Sequence, residues 1–246
     1  MRRLALALLA LSPAAEAAAG AWTRPPGEGF VSAGTSYYRT DEAVPYEETT
    51  VALYGEYGVA EGVTLGGAVE TVQPLDAPIG FEGDLTLSAF AQARLREGEA
   101  GDPLSAAIGV ELPFGDPLIA QSPDDPALDL RLLYGRGFGT RWGGAFVDLQ
   151  GAVRLRFGED ADELRVDATA GLRPAARWLV MLQSFATLGL RNAEPGGDDY
   201  DVLKLAPSVG YELVEDVTVL IGLEREVAGR GVALGSRARL AVWTTF

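Results

Sequence analysis

The chain has 246 residues and a formal net charge of −15, with 31 glycines, no cysteine and no histidine. Without cysteine there is no disulfide framework and no thiolate metal site; without histidine, Ser-His-Asp and Cys-His catalysis and most zinc sites are excluded as well. So acidic a chain does not suit nucleic acid, whose phosphates need a basic surface.

Residues 1–21 read as a secretory leader. Arg2 and Arg3 form a positive start, and Leu4 to Leu11 is an apolar run. Ala17-Ala18-Ala19 and Ala19-Gly20-Ala21 both offer small-residue cleavage patterns, so the cut is expected between Ala17 and Ala21. The run is too short to cross a bilayer as a helix, which takes about 20 residues. The mature domain is then 22–246.

The next stretch, Ala21-Trp-Thr-Arg-Pro-Pro-Gly-Glu-Gly-Phe30, leads into the first strand. It resembles the opening of a family of outer-membrane β-barrel transport proteins named after the MetA pathway of phenol degradation. Chains of that family begin with Ala-Trp-Thr, then Pro, then Gly-Glu-Gly. Pro26 stands where that pattern has a basic residue. The resemblance implies a membrane barrel and the passage of small organic solutes. It brings no catalytic residues.

From Phe30 onward, apolar and polar residues alternate with period two, the mark of strands with unlike faces. Val31, Ala33, Thr35 and Tyr37 oppose Ser32, Gly34, Ser36 and Tyr38. Val51, Leu53 and Tyr57 oppose Tyr54 and Glu56, and Val63, Leu65 and Val69 oppose Thr64 and Glu70. In the fourth run Leu85, Leu87, Ala89, Ala91, Ala93 and Leu95 face one way, with Gln92, Arg94 and Arg96 opposite. Ile108 and Val110 oppose Glu111, and Leu128, Leu130 and Leu132 oppose Asp129 and Arg131. Val147, Leu149, Val153 and Leu155 oppose Asp148, Gln150, Arg154 and Arg156. Leu164, Val166 and Leu172 oppose Arg165, Asp167 and Arg173. Three further runs start at Trp178, Leu203 and Val217.

The twelfth run, Val232 to Phe246, has Leu234, Leu240, Val242 and Phe246 on one face and Arg237 and Arg239 on the other. A strand that ends on an aromatic resembles the closing strand of bacterial outer-membrane barrels. There the terminal aromatic is the signal read by the barrel assembly machinery, a role that falls here to Phe246. Thr244 replaces the apolar residue usual two places earlier.

Short connections such as Ala60 to Gly62 and Glu215-Asp216 alternate with long ones such as Thr40 to Glu48, Pro113 to Ala127 and Asn192 to Asp201. Membrane barrels show this asymmetry of short inner turns and long outer loops. Trp22, Trp142, Trp178 and Trp243 fall near one expected rim, as in an interfacial aromatic belt.

The faces opposite the apolar ones carry many charges, among them Glu70, Arg94, Arg96, Asp148, Arg154, Arg156, Arg165, Asp167, Arg237 and Arg239. Soluble cores do not bury so many. The interior of a membrane barrel is polar, so these residues are expected to line a lumen, either as structural ion pairs or as a solute path. The long loops gather acid: Asp41, Glu42, Glu47 and Glu48; Asp76 and Glu82; Asp116, Asp124 and Asp125; Glu159, Asp160, Asp162 and Glu163; Glu194, Asp198, Asp199 and Asp201. Loose binding of divalent cations fits such loops, although none has EF-hand spacing. No cofactor and no enzyme are expected.

The reading is an all-β, up-and-down antiparallel barrel of about twelve strands in the outer membrane of a Gram-negative bacterium. It is in contact with lipid and acts as a passive channel for small solutes. The rival is a non-conducting structural or surface-binding barrel whose lumen is plugged by ion pairs.

Overall fold

The computed structural model describes residues 20–75, 84–98, 101–114 and 125–246. The expected leader up to residue 19 lies outside them, as do Asp76, Glu82, Asp116 and Asp124 of the acidic loops.

Twelve strands among the described residues close into one barrel. They are β1 Gly29–Thr40, β2 Glu47–Ala60, β3 Val63–Pro74, β4 Asp84–Glu97, β5 Pro103–Phe114 and β6 Ala127–Thr140, followed by β7 Gly143–Arg156, β8 Glu163–Ala175, β9 Trp178–Gly189, β10 Asp201–Val214, β11 Val217–Arg230 and β12 Gly235–Thr245. Each is antiparallel to its neighbours in sequence, and β1 pairs with β12 to close the ring. Closure removes the unpaired edges of an open sheet. Turns such as Glu61-Gly62, Arg141-Trp142 and Glu215-Asp216 define one end, and the long loops define the other.

Residues directly opposite in an antiparallel pair share a face. Ala91, Ile108 and Leu130 lie in one row across β4, β5 and β6, and all point outward. Leu132, Leu182, Ile221 and Leu223 are each more than half exposed on the same outer surface. Water does not tolerate so continuous an apolar band, whereas hydrocarbon does.

Three local departures from strict alternation matter. A β-bulge between Arg94 and Arg96 puts Arg96 in register with outward Leu104, while Arg94 stays opposite inward Ser105. Arg96 is exposed and leaves the interior row where alternation placed it. The strands also run further toward the long loops than expected. Glu48 and Glu163, assigned to loops by composition, sit inside β2 and β8 and are buried. Finally, β11 runs on to Arg230, so its loop is 231–234 and β12 begins at Gly235.

The start of β1 and the last residue meet at the short-turn end. Gly29 N donates to Phe246 O at 2.7 Å, and Phe246 N donates to Gly29 O at 3.1 Å. The Phe246 ring lies over Gly29 so closely that a Cβ there would stand 2.3 Å from it. Glycine at 29 is thus what seats the terminal aromatic on the outer face.

Candidate functional site: a lumen narrowed at one end

The barrel interior divides into two unlike halves. Toward the short turns it is apolar. Phe30, Phe146, Leu179, Met181, Leu220 and Trp243 form a buried cluster, with Trp22, Tyr54 and Ala241 packed against it. Phe30 and Trp243 meet edge to face at 5.9 Å. Trp22 and Trp243 therefore point inward, and of the four tryptophans Trp142 and Trp178 are the exposed ones. The belt expected of all four does not include the inner pair. Trp243 is an odd number of residues from outward Phe246, so pleating turns it inward.

The segment 20–28 runs inside this half instead of leading straight to β1. Ala21 is 0 % exposed, and its N–H donates to Asp148 Oδ2 at 2.7 Å. Ser105 Oγ donates to Ala21 O at 2.6 Å, and Gln92 Nε2 donates to Gly20 O at 3.0 Å. Trp22 stands edge-on to Phe146 at 6.2 Å. A Cβ at residue 135 would lie 2.6 Å from the indole, so Gly135 makes the room. Arg24 N donates to Thr64 Oγ1 at 2.7 Å, and its Nε pairs with Glu56 at 2.8 Å. Gly27 and Glu28 exchange backbone bonds with Gly58. The segment fills the interior as a plug held by β2, β3, β4, β5 and β7.

Toward the long loops the interior is ionic. On the β5–β8 wall, Arg131 bonds Asp129 at 3.1 Å, Asp167 at 2.7 Å and Gln150 at 2.6 Å. Arg154 pairs with Glu111 at 2.9 Å, and Arg156 with Glu163 at 2.6 Å. On the facing wall, Arg237 pairs with Glu48 at 2.8 Å and lies over the Tyr38 ring. Arg239 pairs with Glu224, and Lys204 with Glu226 at 3.2 Å. Glu70 points inward yet is exposed, so the interior is open to water at its level.

The hydrogen bonding is incomplete at several interior atoms, among them Asp84 Oδ1 and Oδ2, Asp167 Oδ1, Ser208 Oγ and three arginine nitrogens. Arg154 Nε, Arg156 Nη1 and Arg165 Nε are buried and donate no hydrogen bond among the described residues, although Arg154 Nε stands 3.6 Å from Asp129 Oδ2. Arg165 forms no hydrogen bond or ion pair there at all, though Arg154 and Arg156 both keep a carboxylate. Guanidinium N–H groups left open in this way match planar oxyanions. Arg94 stands apart at the short-turn end, paired with Glu61 and with Glu97 at 3.0 Å.

The structure thus brings Glu70, Asp148, Arg154, Arg156, Arg165, Asp167, Arg237 and Arg239 to the interior side of the wall, places Arg94 at one rim and turns Arg96 away. Parity puts Gln92 and Ser105 on the inward faces of β4 and β5 as expected, but not their bonds to Gly20 and Ala21. Arg24 has no sequence signal, because it precedes every strand.

Outside the strands, the acidic loops bind one another through backbone donors. Asp160 N donates to Asp125, and Asp198 N donates to Asp160, both at 2.8 Å. Among the described residues, no group of acidic side chains converges to hold a metal ion. Burial, then Asp160 nearby, raises the Asp198 carboxyl above its ordinary range. The packed loops disfavour its ionised form, so lowering the pH from neutral through that raised value should tighten this contact. With each rate divided by the intrinsic exchange rate at that pH, higher protection of Ala161 N, which donates to Asp198 O, is the expected result; lower protection contradicts it. Asp41 has the opposite sign, since its bond to Arg225 lowers its carboxyl. That contact should survive until the pH falls below the usual carboxylate range.

No protein-family model and no curated protein matches the sequence. The fold, however, recurs among solved structures. The COG4313 outer membrane channel from Pseudomonas putida F1 is 17% identical, with 91% of this chain and 97% of that one aligned at a TM-score of 0.65. The NanC porin is 9% identical over 87% of this chain and 98% of its own, at 0.63. The KdgM porin in complex with disordered oligogalacturonate is 9% identical over 87% and 99%, at 0.59. At these identities the likeness is one of fold, and this chain has the closed twelve-stranded barrel of outer-membrane channels and porins.

Proposed function

We propose that the protein is a passive channel of a Gram-negative outer membrane that admits small anionic organic solutes from the long-loop side. The observation that carries this is the inward bank of Arg154, Arg156 and Arg165, of which Arg165 has no carboxylate within ion-pair distance among the described residues. Porins and channels share the fold, and one of them is named in complex with an acidic oligosaccharide, which agrees with the reading. The long loops are the outward ones, as the asymmetry of short inner turns and long outer loops in such barrels implies.

Arg165 is the residue to reverse, because it breaks no ion pair. Arg156→Glu would set a second carboxylate against Glu163 and test folding instead. In a salt gradient the protein should show a mild anion preference. That preference should grow as salt rises, since the acidic loops act over only ~8 Å at physiological strength. Arg165→Glu should move the reversal potential toward the cation side, and an unchanged potential removes this bank from the path.

A second reading, a barrel that does not conduct, is favoured by the plug and the apolar cluster that fill the short-turn half. In either case Phe246 is the expected contact for the assembly machinery. Its ring is exposed and gains little burial, so its deletion should lower outer-membrane levels in cells while refolding in detergent stays intact. Normal insertion of the truncated chain contradicts that role.

A further inference from the structure

Asp148 is only 1 % exposed, on the inner face of β7. Gln150 Nε2 donates to its Oδ1 at 2.7 Å, and the Ala21 N–H donates to its Oδ2 at 2.7 Å. The guanidinium nearest in the network, Arg131, is engaged with Asp129, Asp167 and Gln150. A buried carboxylate held only by neutral donors is costly, because such charges are normally paired. The Gly20-Ala21 pair is meanwhile enclosed by β4, β5 and β7, through Gln92, Ser105 and Asp148. An uncut chain would have to carry nineteen more residues on from this enclosed point, including the apolar run Leu4 to Leu11.

We propose that the leader is cut beside Gly20 and that the α-ammonium created there is the cation held by Asp148, so that processing completes the plug. Hydrolysis of the Ala19–Gly20 or Gly20–Ala21 peptide bond by a signal peptidase adds one water. It leaves a carboxylate on the leader and an ammonium on the barrel chain. Ala17-Ala18-Ala19 and Ala18-Ala19-Gly20 both present the small residues such a cut requires. If Ala21 leads, its nitrogen is the atom already 2.7 Å from Oδ2. If Gly20 leads, the ammonium lies one residue further on, a step of no more than about 3.6 Å, and both backbone oxygens keep the donors from Gln92 and Ser105. The inference rests on the leader and the plug, and stands apart from any claim about conduction.

The test uses the full chain, expressed with its leader and purified from the membrane. Intact mass should give a first residue of Gly20 or Ala21. A start at Ala19 or earlier, or at Trp22 or later, overturns the proposal. The second measurement exploits the fact that Lys204 is the one lysine of the chain. In Lys204→Arg protein the α-amine is the single amine open to an N-hydroxysuccinimide ester. It should label at least tenfold more slowly in the folded barrel than after heating in SDS, and equal rates overturn the proposal. In Lys204→Arg with Asp148→Asn, folded labelling should rise toward the unfolded rate; if it stays slow in a barrel that still shows a heat-modifiable gel shift, Asp148 does not hold the amine. Should that double variant fail to fold, the Lys204→Arg comparison and the mass decide.

Discussion

Removing residues 20–27 should open the short-turn end and raise the conductance severalfold, with the barrel still folded. Three facts give that expectation. Trp22 fills the space between Phe146 and Gly135, which nothing else among the described residues occupies. The plug's partners Thr64, Gln92, Ser105 and Asp148 would then meet water, and Glu56, which loses Arg24, keeps the hydrogen bond from Tyr54. The packing lost is mainly one half-buried indole, about 2 kcal/mol by area, which a closed sheet of twelve strands survives. Single-channel recording of the shortened chain beside the intact one is the measurement. Equal conductance would show that the plug does not limit flow.

Ile108→Arg should be the most damaging single change on the outer face. Ile108 sits midway along β5, 51 % exposed, in register with Ala91 and Leu130. A charge near the bilayer midplane on the lipid face costs about 2–4 kcal/mol. Glu70→Gln is the control, because Glu70 points inward, makes no hydrogen bond or close ion pair among the described residues, and the amide adds no like charge near Arg237 and Arg239. Urea unfolding in lipid vesicles should separate the two variants by most of that difference. Equal stability would contradict the assignment of faces.

The outer face was readable because lipid selects on every second residue over many strands at once. Leu87, Val166 and Leu240 follow from parity alone. The alternation of short and long connections was readable for the same reason, since turns such as Glu61-Gly62 interrupt the pattern cleanly. Parity fails where the backbone breaks step, and the bulge before Arg96 left no mark in composition. It also fails to tell a wet interior from a packed one. Phe30, Phe146, Met181 and Leu220 share the inward parity of the charged residues, and together they make the apolar half. The plug was hidden for a different reason. Residues 20–28 have no periodicity, so nothing before folding distinguishes a lead-in from a segment that turns into the lumen. Only the glycines at 58 and 135 hint at it, and their partners Pro25 and Trp22 are distant in sequence. Glu48 and Glu163 show the matching error at the other end, where an acid at a strand terminus looks like loop until its arginine is found.

The claim that this barrel is a passive, anion-preferring channel is tested most directly by the current through single copies of the purified protein in a planar bilayer, recorded across a salt gradient. The account predicts discrete steps, a reversal potential on the anion side and larger steps of the same sign once residues 20–27 are removed. A silent bilayer with both the intact and the shortened chain would contradict it and leave the non-conducting barrel standing.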